Sequence, residues 1–275
     1  MTLLDELENW PVDSVAGAVV LGQRKHSGGI AETFGDPTAV FELASVTKPL
    51  VAHAVLVAVE EGAVELGDAA GPPGATIEHL LAHASGLAFD SRDVQAPVGT
   101  QRIYSSAGFE LLAEIVSAAT EINFTDYLRD AVCEPLGMSR TVLAGPAGHG
   151  ARSCVADLSA FAADLLAPTV ISTELHATAT SVRFPGLDGF VPGYGKHRPN
   201  DWGLGVEIRS SKQPHWTGEN NSPATFGHFG QAGTFMWVDP VLDVACVVLT
   251  DRPFGSWAKP LWSNFSTRVV TALGG

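Results

Sequence analysis

The segment "FELASVTKPLVAHAVLVAVEEG", residues 41–62, constrains this chain more than any other stretch. From about residue 45 to residue 61 it has helical composition and is apolar on nearly every face. Such a helix has to be surrounded by protein. It needs neighbours on all sides, which Gly62 is placed to let it join by ending it. One cation, Lys48, lies near its start. A buried ammonium costs several kcal/mol unless it is paired or gives up its proton. The residues three and four away from Lys48 are Ala44, Ser45, Val51 and Ala52, none of them acidic.

Ser45 and Lys48 stand three apart, so on a helix they share one face. A desolvated amine has its pKa pushed down and becomes a base. Such a base can activate a serine hydroxyl, which is a poor nucleophile unaided. A helix start also offers free backbone N–H groups to a developing oxyanion. Taken alone, the pair fits equally well a serine that caps the helix and a lysine that snorkels to the surface.

The rest of the chain supplies material for a large core. Of 275 residues, 45% are hydrophobic and 17% charged, which excludes a disordered chain. The formal net charge of −14 disfavours nucleic acid as a partner. Cys133, Cys154 and Cys246 are odd in number and widely spaced, so they predict buried thiols and no disulfide framework. Asp5, Glu6 and Glu8 stand where a signal peptide would be basic, and no apolar run reaches the roughly 20 residues of a membrane span. These features lead to the expectation of a cytoplasmic protein with no membrane span. The sequon at Asn123 would then go unused. The oligomeric state has no signature in the sequence.

Patterning gives an order of elements. "SVAGAVVLG" (14–22) reads as a buried strand, and "GIAETFGD" and "AVFELA" as continuations of its sheet. Helices are expected over 76–86, 106–120, 124–137 and 155–167, and a long loop over 181–200. Strands are expected at 202–208, 234–239 and 243–251, the last two as a hairpin, before a closing helix at 256–273 interrupted by Pro260. The fold class is therefore α+β, an antiparallel sheet flanked by helices with a helical subdomain inserted. One domain spans 1–275, with a sheet part of about 1–65 and 200–275 and a helical part of about 66–199. His79 and His83 have metal-like spacing on the 76–86 helix. Leu80, however, stands where a zinc peptidase needs glutamate, so no metal is expected. His53 reads as a hydrogen-bonded core histidine, and "GPAGHG" (145–150) as a loop.

Two more stretches carry chemistry. In "RIYSSAGFELLAEIV", Tyr104 precedes a helix, and its phenol could pass protons if nearby cations lowered its pKa. In "FGHFGQAGTFMWVD", Gly227, Gly230 and Gly233 allow a close approach, and His228 can titrate.

Together Ser45-x-x-Lys48, "HLLAHASGL" (79–87), "YSSAGFELLAEIV" and "GHFGQAGT" follow the order and spacing of penicillin-recognising serine hydrolases. The chain resembles the branch holding class C β-lactamases, their esterase relatives and D-stereospecific peptidases. The matched segments run from about 41 to 250. The resemblance implies a β-lactamase/transpeptidase-like fold without a cofactor. It implies a serine hydrolase that forms an acyl-enzyme on Ser45, with Lys48 as base or relay. Tyr104 would be the tyrosine of the Tyr-x-Asn motif, and His228 would open the Lys-Thr-Gly triplet, here His228-Phe229-Gly230. The backbone N–H groups of Ser45 and Gln231 would form the oxyanion hole. Ser106 replaces the asparagine of the tyrosine motif, an amide that contacts the lysine and the substrate in relatives. Phe229 replaces the threonine. These departures disfavour β-lactam turnover and suit an ester or amide without the penicillin carboxylate. The alternative they raise is a catalytically weakened penicillin-binding-like protein that holds a ligand or partner.

Overall fold

The computed structural model describes residues 2–274. Strands β1 (Val15–Leu21) and β2 (Gly29–Phe34) open the chain, and β3 (Phe41–Glu42) follows. A short 3-10 turn, Ala44–Val46, runs straight into α1 (Thr47–Glu60). The middle of the chain forms α2 (Ile77–Leu81), α3 (Ser106–Thr120), α4 (Phe124–Leu128), β4 (Val142–Leu143), β5 (Ala151–Ser153), α5 (Val155–Leu166) and α6 (Thr173–Ala179). Then come β6 (Gly189–Val191), β7 (Gly195–His197), β8 (Glu207–Ile208), β9 (Phe226–Gly230), β10 (Thr234–Asp239), β11 (Val244–Thr250) and α7 (Ala258–Ala272).

The main sheet has six strands in the order β2-β1-β11-β10-β9-β8, all antiparallel. The chain's two ends meet in it, because β1 lies along the whole of β11, Val15 opposite Thr250 and Leu21 opposite Val244. Strand side chains alternate between faces. Val19, Phe235, Trp237, Cys246 and Val248 face α7, where Trp262, Phe265 and Val269 meet them beneath Leu7 and Trp10. Ala18, Val20, Met236, Ala245 and Val247 face the helical side with α1 and α5. Both faces are covered, so β10 and β11 are buried at every position.

Helix α1 has the burial its composition demands: its residues from Thr47 to Ala58 are all buried. Gly62 follows its end at φ +72°, a conformation that glycine takes without strain. The three cysteines are free and buried. No helix among the described residues is long and apolar enough to cross a membrane.

Several boundaries differ from the pattern-based expectation. Residues Phe41–Glu42 pair with β5 in a separate three-stranded sheet. The helix expected over 76–86 stops at Leu81, and His83 takes a left-handed φ of +56°. The helix expected over 124–137 is α4 followed by a π-helical turn, Arg129–Cys133, and Asn123 caps it by accepting the Thr125 N–H at 3.0 Å. The 181–200 loop contains the β6–β7 hairpin. Strand β8 has two residues because it pairs with β9 only at Phe226 and Gly227. Pro260 falls in the first turn of α7, where no backbone donor is needed, and leaves the helix intact. Trp262 on that helix has no exposed surface. Trp262→Ala should cost roughly 3–5 kcal/mol in a urea unfolding experiment, since the sheet face cannot close over the gap.

Candidate active site

The turn that carries Ser45 is held from three directions. The Leu43 N–H donates to Ala151 O at 2.9 Å, and Thr47 Oγ1 accepts the Ala151 N–H at 2.9 Å. From the sheet, Thr234 Oγ1 donates to Leu43 O at 2.9 Å. Gly230 lies so close that a Cβ there would fall 2.2 Å from Leu43 O. Ala44, just before the serine, has φ +45°, a left-handed conformation that costs a non-glycine residue about 1–3 kcal/mol unless its surroundings enforce it. Those contacts enforce it here.

Lys48, in the first turn of α1, is completely buried. Its Nζ donates to Gly148 O at 2.7 Å and to Ser106 Oγ at 3.1 Å. It lies 4.5 Å from the centre of the Tyr104 ring and 5.5 Å from that of Phe109. Burial lowers its pKa to about 7 against the opposing pull of Glu110. A neutral amine has two N–H groups and one lone pair. The two contacts use the N–H groups and leave the lone pair for a proton. Ser106 therefore keeps the lysine contact that loss of the asparagine amide put in question.

Tyr104 precedes α3, whose cap is Ser105 Oγ accepting the Gly108 N–H at 3.0 Å. The phenol ring packs against His83 at 4.6 Å and Trp202 at 5.7 Å. Burial raises its pKa, while a hydrogen bond with Ser45 acts the other way. The pKa thus moves opposite to the lowering by cations that proton passage called for, and the hydroxyl keeps its proton.

His228, on β9, fixes where that proton points. Its Nδ1 lies 2.7 Å from Phe229 O, a carbonyl, so Nδ1 carries the hydrogen and donates it. Nε2 is then the acceptor of the Tyr104 O–H at 3.3 Å. Burial and the nearby Lys48 charge lower the His228 pKa to about 3, which keeps the ring neutral at physiological pH.

Ser45, Tyr104, His228, Phe229 and Gln231 line one cavity of about 170 Å³, closed by Phe89, Pro192, Trp202 and Glu207. Lys48, Ser106 and Gly230 stand behind its wall, where they hold the amine and the serine turn. The two histidines with metal-like spacing serve different partners. His79 Nδ1 meets Thr76 Oγ1 at 2.9 Å, while His83 Nδ1 accepts the Ser105 N–H at 3.1 Å beneath Tyr104. His53 Nε2 lies 3.3 Å from Asp164 Oδ2 in the core.

Sequence reasoning missed Gly148 and Glu207. A Cβ on Gly148 would lie 2.7 Å from the Ser106 Cβ, so the glycine-rich loop at 145–150 is there for close approach. The signal for Glu207 was of the same kind as that for Lys48, a charge inside the apolar run "WGLGVEI".

The sequence profile of the Beta-lactamase family matches residues 14–262. The chain belongs to that family. A crystal structure of a beta-lactamase from Mycobacterium bovis superposes with a TM-score of 0.96 at 57% identity, over 99% of both chains, and shows the same β-lactamase/transpeptidase-like fold. Penicillin-binding protein 4* of Bacillus subtilis is 31% identical over 153 residues, 42% of this chain and 34% of that protein. A Salmonella enteritidis protein with a provisional D-alanyl-D-alanine carboxypeptidase name is 24% identical over 221 residues, 59% of this chain and 48% of that protein. This family member thus spans less than half the length of these two relatives.

Two outcomes test this geometry. Gly230→Ala should destabilise by about 2 kcal/mol or more, because its Cβ meets a backbone carbonyl that is fixed in turn by Thr234. Lys48→Met separates the amine's charge from its packing. The folded amine, with its lowered pKa, releases its proton near pH 7 and the unfolded one near 10.4, so wild type gains stability as pH rises between these values. Relative to Lys48→Met, denaturant unfolding should show wild type gaining about 1.4 kcal/mol per pH unit from pH 7 to 10. A difference independent of pH would mean that Lys48 stays charged in the fold.

Proposed function

We propose that the protein is a serine hydrolase that forms an acyl-enzyme on Ser45 and acts on esters or small amides with short acyl groups. The observation that carries this reading is Lys48: a wholly buried amine whose pKa burial lowers to about 7, one turn from the serine. The Ser45 hydroxyl turns from Tyr104 to Lys48, whose lone pair takes its proton as Oγ bonds to the carbonyl carbon. The carbonyl electrons move to its oxygen, which the backbone N–H groups of Ser45 and Gln231 stabilise. The first of these is in the opening turn of a helix, where donors have no intrahelical acceptor. As the tetrahedral intermediate collapses, the Tyr104 O–H turns from His228 Nε2 to the leaving oxygen or nitrogen and gives up its proton, and the Lys48 ammonium replaces it. Water then repeats the sequence on the acyl-enzyme and releases the acid.

Size and charge narrow the substrate. The cavity of about 170 Å³ is smaller than the roughly 300–1,000 Å³ of pockets that take drug-sized ligands, which favours a short acyl chain. Its walls are mostly aromatic, which suits apolar groups. The neutral His228 and the phenyl ring of Phe229 supply neither the cation nor the hydroxyl that would hold a penicillin carboxylate. β-Lactams and D-alanyl peptides are therefore poorer candidates than esters.

Phe229 also favours a second reading, a weakened relative that binds ligands without turning them over. Intact-mass measurement after treatment with a fluorophosphonate separates the two. One adduct on wild type and none on Ser45→Ala is expected. p-Nitrophenyl acetate and butyrate should be hydrolysed at least about tenfold more efficiently than the decanoate, with kcat/KM falling below an inflection near pH 7 as Lys48 takes up a proton. An unmodified wild type, or an equal adduct on Ser45→Ala, would remove Ser45 from the chemistry.

A further inference from the structure

The charge that faces the cavity is negative and belongs to Glu207. This residue is on β8 opposite Gly227, next to His228, and it lines the cavity. It is buried, with 2% of its surface exposed. None of the other residues that line the cavity carries a positive charge: His228 is neutral, and Lys48 stands behind the wall.

The carboxylate is fixed from its far side. Lys212 Nζ lies 3.0 Å from Oε1, His215 Nε2 lies 3.3 Å from the same oxygen, and Trp216 Nε1 donates to Oε2 at 2.8 Å. His215 Nδ1 accepts the Thr217 N–H at 3.2 Å, so its hydrogen is on Nε2 and points at Glu207. These groups hold the Glu207 pKa well below the ordinary carboxylate range. Lys212 spends its other donors on Asp201 O at 2.7 Å and Ile208 O at 2.5 Å. Lys212 and His215 line a different cavity, of about 570 Å³, together with Arg209 and Lys259. The cations thus lie behind the carboxylate, which has four lone-pair sites and three donors. Glu207 lines the acyl cavity and Lys212 does not, so the pair, neutral in sum, has its negative member on the cavity side.

We propose that Glu207 sets the charge specificity of the acyl cavity, admitting neutral short acyl groups and rejecting those that end in a carboxylate. This rests on the hydrolase reading above. An acyl chain attached to Ser45 and ending in a carboxylate would bring a second anion into a small aromatic cavity beside Glu207, where no lining residue carries a compensating positive charge. A neutral ester of the same length meets no such opposition.

The test uses two methyl esters that share one acyl chain, dimethyl succinate and monomethyl succinate, with methanol release as the readout. Wild type should show a kcat/KM at least about twentyfold higher for the neutral diester, well above the statistical factor of two for its two equivalent ends. Glu207→Gln should narrow that ratio at least about fivefold. This variant leaves Lys212 buried and unpaired, so Glu207→Gln/Lys212→Met, which removes both charges, is measured beside it, with folding checked by melting temperature. A core ion pair with only a structural role would lower both rates and leave their ratio alone. A wild-type ratio near two, or a ratio unchanged in a folded variant, would overturn the proposal and leave the hydrolase reading standing. No Ser45-dependent turnover of either ester would overturn both.

Discussion

Desolvation of the Lys48 amine is the interaction on which the rest of the site depends. Its cost is met by no counterion: Glu110 acts on it from a distance, and the direct partners are a carbonyl and a hydroxyl. Those partners accept N–H groups and do not demand a positive charge, so the amine can exist as a base. An aspartate at either position would have kept it an ammonium. The phenol and phenyl faces of Tyr104 and Phe109 complete an environment that tolerates the cation transiently, as a proton relay needs. The same burial pushes the Tyr104 pKa up and the His228 pKa down. Three titratable groups side by side are thus all driven toward their neutral forms, and the hydrogen-bond direction from phenol to imidazole follows from the carbonyl on the other ring nitrogen.

The fold makes that environment by closing the chain's two ends into one sheet. Strand β9 is buried, yet it pairs with the short β8 only at its beginning, so His228 onward forms an open edge. The Ser45 turn seats itself there through Gly230 at the end of β9 and Thr234 at the start of β10. Helix α3 and the 145–150 loop close over the lysine from the opposite side. Stability and chemistry therefore draw on the same contacts. The packing that forces Ala44 into a left-handed conformation also sets the direction of the neighbouring serine.

How much of this was legible in the sequence follows from the kind of signal each part leaves. The largely apolar α1 with its single lysine announced a buried amine, and the hairpin of β10 and β11 followed from the short turn at Pro240–Leu242, which the structure closes with two backbone N–H groups donated to Asp239. Short elements were misjudged because their pairing is tertiary: Phe41–Glu42 joins β5, over a hundred residues away, which no local pattern records. The helix through His83 was overextended because the left-handed turn there is imposed by what His83 holds, the Ser105 N–H, rather than by a helix-breaking residue. Ser45, Tyr104, His228 and Gln231 were found through motifs, and the structure gathers them around one cavity. Gly148 escaped because a glycine-rich loop looks alike whether or not its carbonyl meets a lysine. Glu207 escaped because its partners Lys212, His215 and Trp216 are gathered by a loop with no periodicity.

The central claim is that burial lowers the Lys48 pKa far enough for a substantial neutral fraction to act as base near neutral pH, and an NMR titration of isotope-labelled lysine side chains, with the Lys48 signal assigned by its loss in Lys48→Met, tests it most directly. The account predicts a titration midpoint near 7. A midpoint near the 10.4 of a free lysine would contradict it.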